Sequence, residues 1–138
     1  MGIKQISVFL ENNSGRLAEV TKCLAEAKIN LRAISIADTA DFGILRIIVD
    51  KQAEAVKTLN AAGFTTRETD VLAVEISDTP GALAAVIELF RETKVNIEYL
   101  YASLEGSQGK AVVLFKLNDP DAGLKIIRES GVTLLEQF

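Results

Sequence analysis

Histidine is absent from this sequence and cysteine occurs once. Without imidazole there is no side chain that titrates near neutral pH unperturbed, so histidine acid–base catalysis and histidine metal ligation are excluded. The single thiol, Cys23, cannot close an intrachain disulfide or form the C-x-x-C pair of a metal carrier. It falls beside Val20 and Leu24 in a helical pattern, where a lone cysteine ordinarily serves as a small core residue. Basic residues are outnumbered, 15 Lys and Arg against 19 Asp and Glu, for a net charge of -4. No basic face is available for nucleic acid or an anionic membrane. An RNA-binding sheet would need exposed aromatic residues on its central strands; the first half offers Phe9 and Arg46, the second Phe115 alone. There is no long apolar run. The chain begins with an alternating pattern, Ile3 to Leu10, rather than a signal peptide or a span. Position 6 is Ile6, not the Ser or Thr of a myristoylation signal. The expectation is a cytoplasmic protein with no cofactor, no metal, no nucleic-acid partner and no membrane partner.

What is present is a repeat. The chain has 138 residues and is 49% apolar, enough for one ordinary core or two small ones. Gly15-Arg16-Leu17-Ala18 recurs as Gly81-Ala82-Leu83-Ala84, and Lys28-Ile29-Asn30-Leu31 as Lys94-Val95-Asn96-Ile97, both at an offset of 66 residues. Ala62-Gly63-Phe64 matches Ser130-Gly131-Val132 at an offset of 68, the extra length fitting a longer turn at Glu105 to Gly109. This is a duplication, with domains at residues 1–68 and 69–138 and almost no linker.

Each repeat has one order of patterns. Ile6, Val8 and Leu10 alternate as a strand, and Leu17, Val20, Leu24 and Ala27 follow at helical spacing. Ile29 to Ala37 and Ile44 to Val49 are strand-like. Val56 and Leu59 mark a second helix that Gly63 ends, and Phe64 to Arg67 is a short last strand. The second repeat places strands at Val71 to Ser77, Val95 to Leu104, Ala111 to Leu117 and Val132 to Glu136. Its helices are expected at Pro80 to Lys94 and around Leu124 and Ile127. The fold class is therefore α+β: two ferredoxin-like βαββαβ repeats, antiparallel sheets with helices on one face, packed side by side. The hairpin strands of the second repeat carry apolar residues in both parities, so they are covered on both faces or lie at an interface, and a homodimer is expected.

The two equivalent turns are Asn12-Asn13-Ser14-Gly15-Arg16-Leu17 and Asp78-Thr79-Pro80-Gly81-Ala82-Leu83. Helix capping is one reading: Asn13 or Thr79 at the N-cap and Pro80 at the first helical position. Capping does not account for a glycine in both, because glycine costs about 1 kcal/mol against alanine in a helix. Either an unusual dihedral angle or a closely approaching partner is needed there. A helix start with free amides and no side chain is a seat for a carboxylate.

Turn, following Asn30 or Asn96, and order of elements together resemble the ACT domain family, over nearly the whole chain and twice over. The resemblance implies a regulatory protein that senses a small molecule, most often an amino acid. The ligand would lie between paired ACT units, at the glycine turn of one and the start of the second strand of the other. It implies that Asn12 and Asp78 face the ligand's polar groups and that Gly15 and Gly81 let backbone meet ligand through the amides of Arg16, Leu17, Ala82 and Leu83. Asn30 and Asn96, with Ile97, would reach from the partner unit. Asn13, Ser14 and Arg16 add hydrogen-bonding groups to the first turn, which departs from the family pattern by having Ser14 in place of proline. No catalytic residue is expected, and the protein is not expected to be an enzyme. The alternative is a ligand-free structural or interaction module whose turns are caps and whose open sheet face holds a protein partner. Asp119-Pro120-Asp121 reads as an ordinary helix opening. Tyr99 and Tyr101 share one face of their strand, for packing or for lining a pocket beside Asn96.

Overall fold

The computed structural model describes residues 2–11, 13–38, 42–104 and 108–137. The elements in order are β1 (Ile3–Glu11), α1 (Arg16–Glu26), β2 (Leu31–Asp38), β3 (Phe42–Val49), α2 (Gln52–Ala61), β4 (Thr65–Ser77), α3 (Ala82–Glu88), β5 (Ile97–Ala102), β6 (Lys110–Leu117), α4 (Pro120–Ser130) and β7 (Thr133–Leu135). The chain forms two compact units, Lys4–Thr69 and Asp70–Phe138 with Met1–Ile3.

In the first unit β3 pairs antiparallel with both β1 and β2, with Ile47 opposite Ile6 on one side and Ile34 on the other. Side chains alternate along a strand, so Ile6, Val8 and Leu10 share a face with Leu45, Ile47 and Val49. Val20 and Leu24 of α1 and Ala55 and Leu59 of α2 close the core over that face. In the second unit β6 lies between β5 and β4, and β7 flanks β4, all antiparallel. Leu72, Val74, Val113, Phe115 and Leu117 meet Val86 and Phe90 from the α3 region and Leu124 and Ile127 from α4. The rings of Phe90 and Phe115 lie 6.4 Å apart and are tilted by 54°, a favourable geometry for aromatic quadrupoles. Both units are α+β with helices over one face of an antiparallel sheet. The opposite faces are buried as well, through Ala33 and Ile48 in the first unit and Val71, Ala73, Val112 and Leu114 in the second. Apolar residues in both parities on the second unit's strands follow from that burial.

Two elements differ from expectation. The short strand at Phe64 to Arg67 and the strand from Val71 are one strand, β4, of 13 residues. No glycine or proline interrupts Thr65 to Ser77, and three of its first five residues are threonines, which favour extended backbone. The helix expected over Pro80 to Lys94 is α3, of only 7 residues. Beyond it the chain tightens to i→i+3 bonds, Leu89 to Val86, Phe90 to Ile87 and Arg91 to Glu88. Farther on, the Thr93 hydroxyl donates to the Phe90 carbonyl (2.8 Å) and accepts from the Val95 amide (3.1 Å), closing the segment ahead of Asn96.

The opening of α4 is as its sequence indicates. Asp119 is the N-cap, its carboxylate accepting the Ala122 amide at 3.1 Å, and Pro120 begins the helix. Asp119→Ala is expected to lower stability by about 1 kcal/mol, read as a reduced urea midpoint with an unchanged slope.

Candidate functional site

The two turns have the same backbone. Gly15 has φ 90° and ψ -9°, Gly81 has φ 87° and ψ -11°, and each is the N-cap of its helix without a side-chain cap bond. The Arg16 amide bonds back to the Asn13 carbonyl (3.4 Å), and the Ala82 amide to the Thr79 carbonyl (3.2 Å). Among the described non-glycine residues only Lys28 has a positive φ. A bond from the fourth residue to the first, with positive φ confined to the third, defines a type II turn. Proline suits the second position of such a turn and glycine the third, which is why Pro80 and Gly81 stand together. The capping expectation is corrected accordingly. Neither Asn13 nor Thr79 caps through its side chain, and Pro80 lies in the turn ahead of the cap, because the helix starts at Ala82. The Thr79 hydroxyl instead lies 2.9 Å from that of Ser77.

A Cβ built on Gly15 or Gly81 would meet nothing within 4 Å. The dihedral angle, not crowding within the chain, demands glycine. Gly15→Ala and Gly81→Ala are each expected to cost about 1–2 kcal/mol, the penalty for an L-residue in the left-handed region, measured by urea unfolding. A loss below a few tenths would show that the turn relaxes to another type.

The turn residues are placed as follows. Asn12 lies outside the described residues. Asn13 is exposed and donates from its side chain to the Glu11 carboxylate at 3.1 Å. Ser14 and Asp78 are exposed, and Ala82 and Leu83 are half-buried. The amides of Leu17 and Leu83 have no intrahelical partner by helix geometry, whereas those of Arg16 and Ala82 serve the turn. Arg16 is 25% exposed in its side chain and donates to Glu19 at 2.7 Å. Its guanidinium also stacks 4.5 Å from the Phe64 ring centroid, so a ligand carboxylate would compete with Glu19 for it.

Asn30 and Asn96 are exposed and held alike. The Asn30 amide donates to the Asp50 carboxylate (3.0 Å) and the Asp50 amide returns to the Asn30 carbonyl (3.2 Å). The Asn96 amide donates to the Asn118 side-chain oxygen (2.7 Å) and the Asn118 amide to the Asn96 carbonyl (3.1 Å). These clamps leave the asparagine side chains outward. Sequence reasoning missed Asp50 and Asn118; comparing the residue after the third strand of each repeat would have found them. Each turn and the asparagine of its own unit stand at opposite ends of the first helix. Eleven residues of α1 span about 16 Å. One unit alone does not bring them together.

Asn96 and Ile97 line an open groove of about 400 Å³ with Ile87, Phe90 and Thr93. A second groove, of about 500 Å³, lies on the other side of Thr93 to Val95 and is lined by Lys94, Asn118, Asp119 and Lys125. Tyr99 and Tyr101 share a face, opposite Lys116 and Leu114 of β6. Among the described residues no group of three or more His, Cys, Asp or Glu could hold a metal ion. Among them, too, no helix is long and apolar enough to cross a membrane.

A family profile described as an ACT domain pair matches residues 1–137. The chain belongs to the ACT domain family. The crystal structure of protein BT0572 from Bacteroides thetaiotaomicron is similar to this ACT pair with a TM-score of 0.91 and 42% identity, over 98% of this chain and 92% of that one. The regulatory subunit of aspartate kinase from Thermus thermophilus, in a ligand-free form, aligns with a TM-score of 0.66 and 21% identity over 93% and 91% of the two chains. That likeness concerns the fold. No curated protein matches the sequence.

Proposed function

We propose that this ACT pair is a regulatory protein that senses an amino acid or a similar small polar metabolite and passes its state to a protein partner. Residues 1–68 and 69–138 are its two ACT domains. The observation that carries the reading is the duplicated turn: two type II turns, each ending in a glycine N-cap that keeps side chains away from a helix start. The amides of Leu17 and Leu83 suit a carboxylate. Asp78 suits an ammonium group, and the amide side chains of Asn30 and Asn96 both donate and accept. An α-amino acid carries both charged groups on one carbon. The description of a protein of the same fold as a regulatory subunit, in ligand-free form, fits this reading.

The test is thermal unfolding against the twenty amino acids, nucleotides and 2-oxo acids. A ligand at 100 times its dissociation constant adds about 2.7 kcal/mol, which raises the midpoint of a chain this size by several degrees. Asn96→Ala is expected to weaken a hit about tenfold, the loss of one hydrogen bond of about 1.4 kcal/mol, without unfolding the protein. A flat panel would overturn the reading and favour a module that holds a protein partner.

A further inference from the structure

The two units leave their first helices differently. α1 closes in a Schellman motif: the Ile29 amide donates to the Leu24 carbonyl (3.0 Å), the Lys28 amide donates to the Ala25 carbonyl (3.0 Å), and Lys28 takes φ 59°. At the offset of 66 residues the pair matching Ile29 and Leu24 is Val95 and Phe90. Between these two stands the Thr93 hydroxyl, donating to the Phe90 carbonyl at 2.8 Å and accepting from the Val95 amide at 3.1 Å. One backbone bond has been replaced by two in series through a side chain. The first unit has Ala27 at this position and no hydroxyl to insert.

The other side of the same corner differs too. In the first unit Lys51 donates across it to the Lys28 carbonyl at 3.3 Å. Its counterpart at the offset of 68 residues, Asp119, turns back to its own helix and caps the Ala122 amide. The Lys94 carbonyl takes the Asn118 side-chain amide instead, at 3.3 Å. Thr93 and Val95 line the grooves on both sides of this segment, and Asn96 and Ile97 line the first of them.

That first groove has a polar end and an apolar wall. The Asn96 side chain both donates and accepts. Lys94 is in no ion pair among the described residues, whereas Arg91 is taken by Glu88 at 3.2 Å. Ile87, Phe90, Val95 and Ile97 make the wall, and Ile87 is 37% exposed.

We propose that Thr93 is a positioning residue: its hydroxyl holds residues 94 to 96 off the end of α3 and so shapes the groove in which Asn96 takes the metabolite. The ligand that fits is an α-amino acid with an apolar side chain, its carboxylate toward Lys94 and Asn96 and its side chain against Ile87 and Ile97. Resting on the ligand reading, the assignment selects the second unit over the first and apolar side chains over charged ones.

The full chain is followed by thermal unfolding against leucine, isoleucine, valine, methionine and phenylalanine, and against aspartate, glutamate, lysine and arginine. A raised midpoint with an apolar member is expected. Thr93→Ala and Thr93→Val should each weaken that hit about tenfold, the loss of one hydrogen bond, with circular dichroism unchanged. Thr93→Ser should restore it to within about twofold, because serine keeps the hydroxyl. In Thr93→Ala a through-hydrogen-bond coupling should appear between the Val95 amide nitrogen and the Phe90 carbonyl carbon, as between Ile29 and Leu24 in the unaltered chain. A hit that Thr93→Ala leaves unchanged, a loss that Thr93→Ser shares, or a coupling that fails to appear overturns the positioning role. A hit abolished by Asn30→Ala and untouched by Asn96→Ala overturns the choice of unit and spares the ligand reading. A shift with charged amino acids alone overturns the choice of side chain and spares that reading too. A flat panel overturns both.

Discussion

Phe115→Ala is expected to remove about 3–5 kcal/mol of stability. The ring is 1% exposed and lies on β6, a strand paired on both sides, opposite Leu72 of β4 and Leu100 of β5. Strands hydrogen-bonded on both sides cannot move in to fill the space, so the cavity persists and adds its own cost to the lost transfer free energy. The tilted contact with Phe90 is lost as well, worth about 0.5–1.5 kcal/mol beyond area. Domains are typically stable by only 5–15 kcal/mol. The substitution should therefore move the urea midpoint by a large fraction of its value at constant slope. A loss below about 1 kcal/mol would mean that the second core is not closed as described.

Leu24→Ala should cost about 2–5 kcal/mol in the first unit. Leu24 is 1% exposed on α1 and shares its core with Leu59, which is fully buried on α2. The damage reaches the site, because α1 has Gly15 at its start and its last carbonyls anchor the turn into Ile29 and Asn30. Combined with Leu59→Ala, the two losses should depart from additivity by about 0.5–3 kcal/mol, as expected of residues in one cluster. Additive losses would place the two leucines in separate environments.

The repeat, the order of elements and both cores were legible in the sequence because each rests on periodicity. Ile6, Val8 and Leu10 alternate as a strand does when it turns one side to an apolar core, and Val20 and Leu24 recur at one helical turn. The bounds were less legible than the elements. Nothing in apolar spacing says that the chain tightens to i→i+3 bonds after Glu88, and the β4 strand runs on because of what Thr65 to Ser77 lack. At the candidate site the glycines were visible but their reason was not. Capping and a type II turn make use of the same Pro80 and Gly81, and only the positive φ at Gly81 separates them. Asp50 and Asn118 were hidden because they are 20 and 22 residues from the asparagines they clamp, and local pattern carries no information over that distance.

The continuity of β4 bears on how such a protein can change. A duplicated gene ordinarily keeps a loose joint, where a copy can be lost, lengthened or exchanged without harm to its neighbour. Here the joint has been written into a strand. A residue inserted near Thr69 and Asp70 would reverse the facing of every side chain beyond it. The last strand of one half and the first strand of the other are therefore inherited as a single piece, and the two halves can diverge in their turns and helices but not in the backbone that joins them.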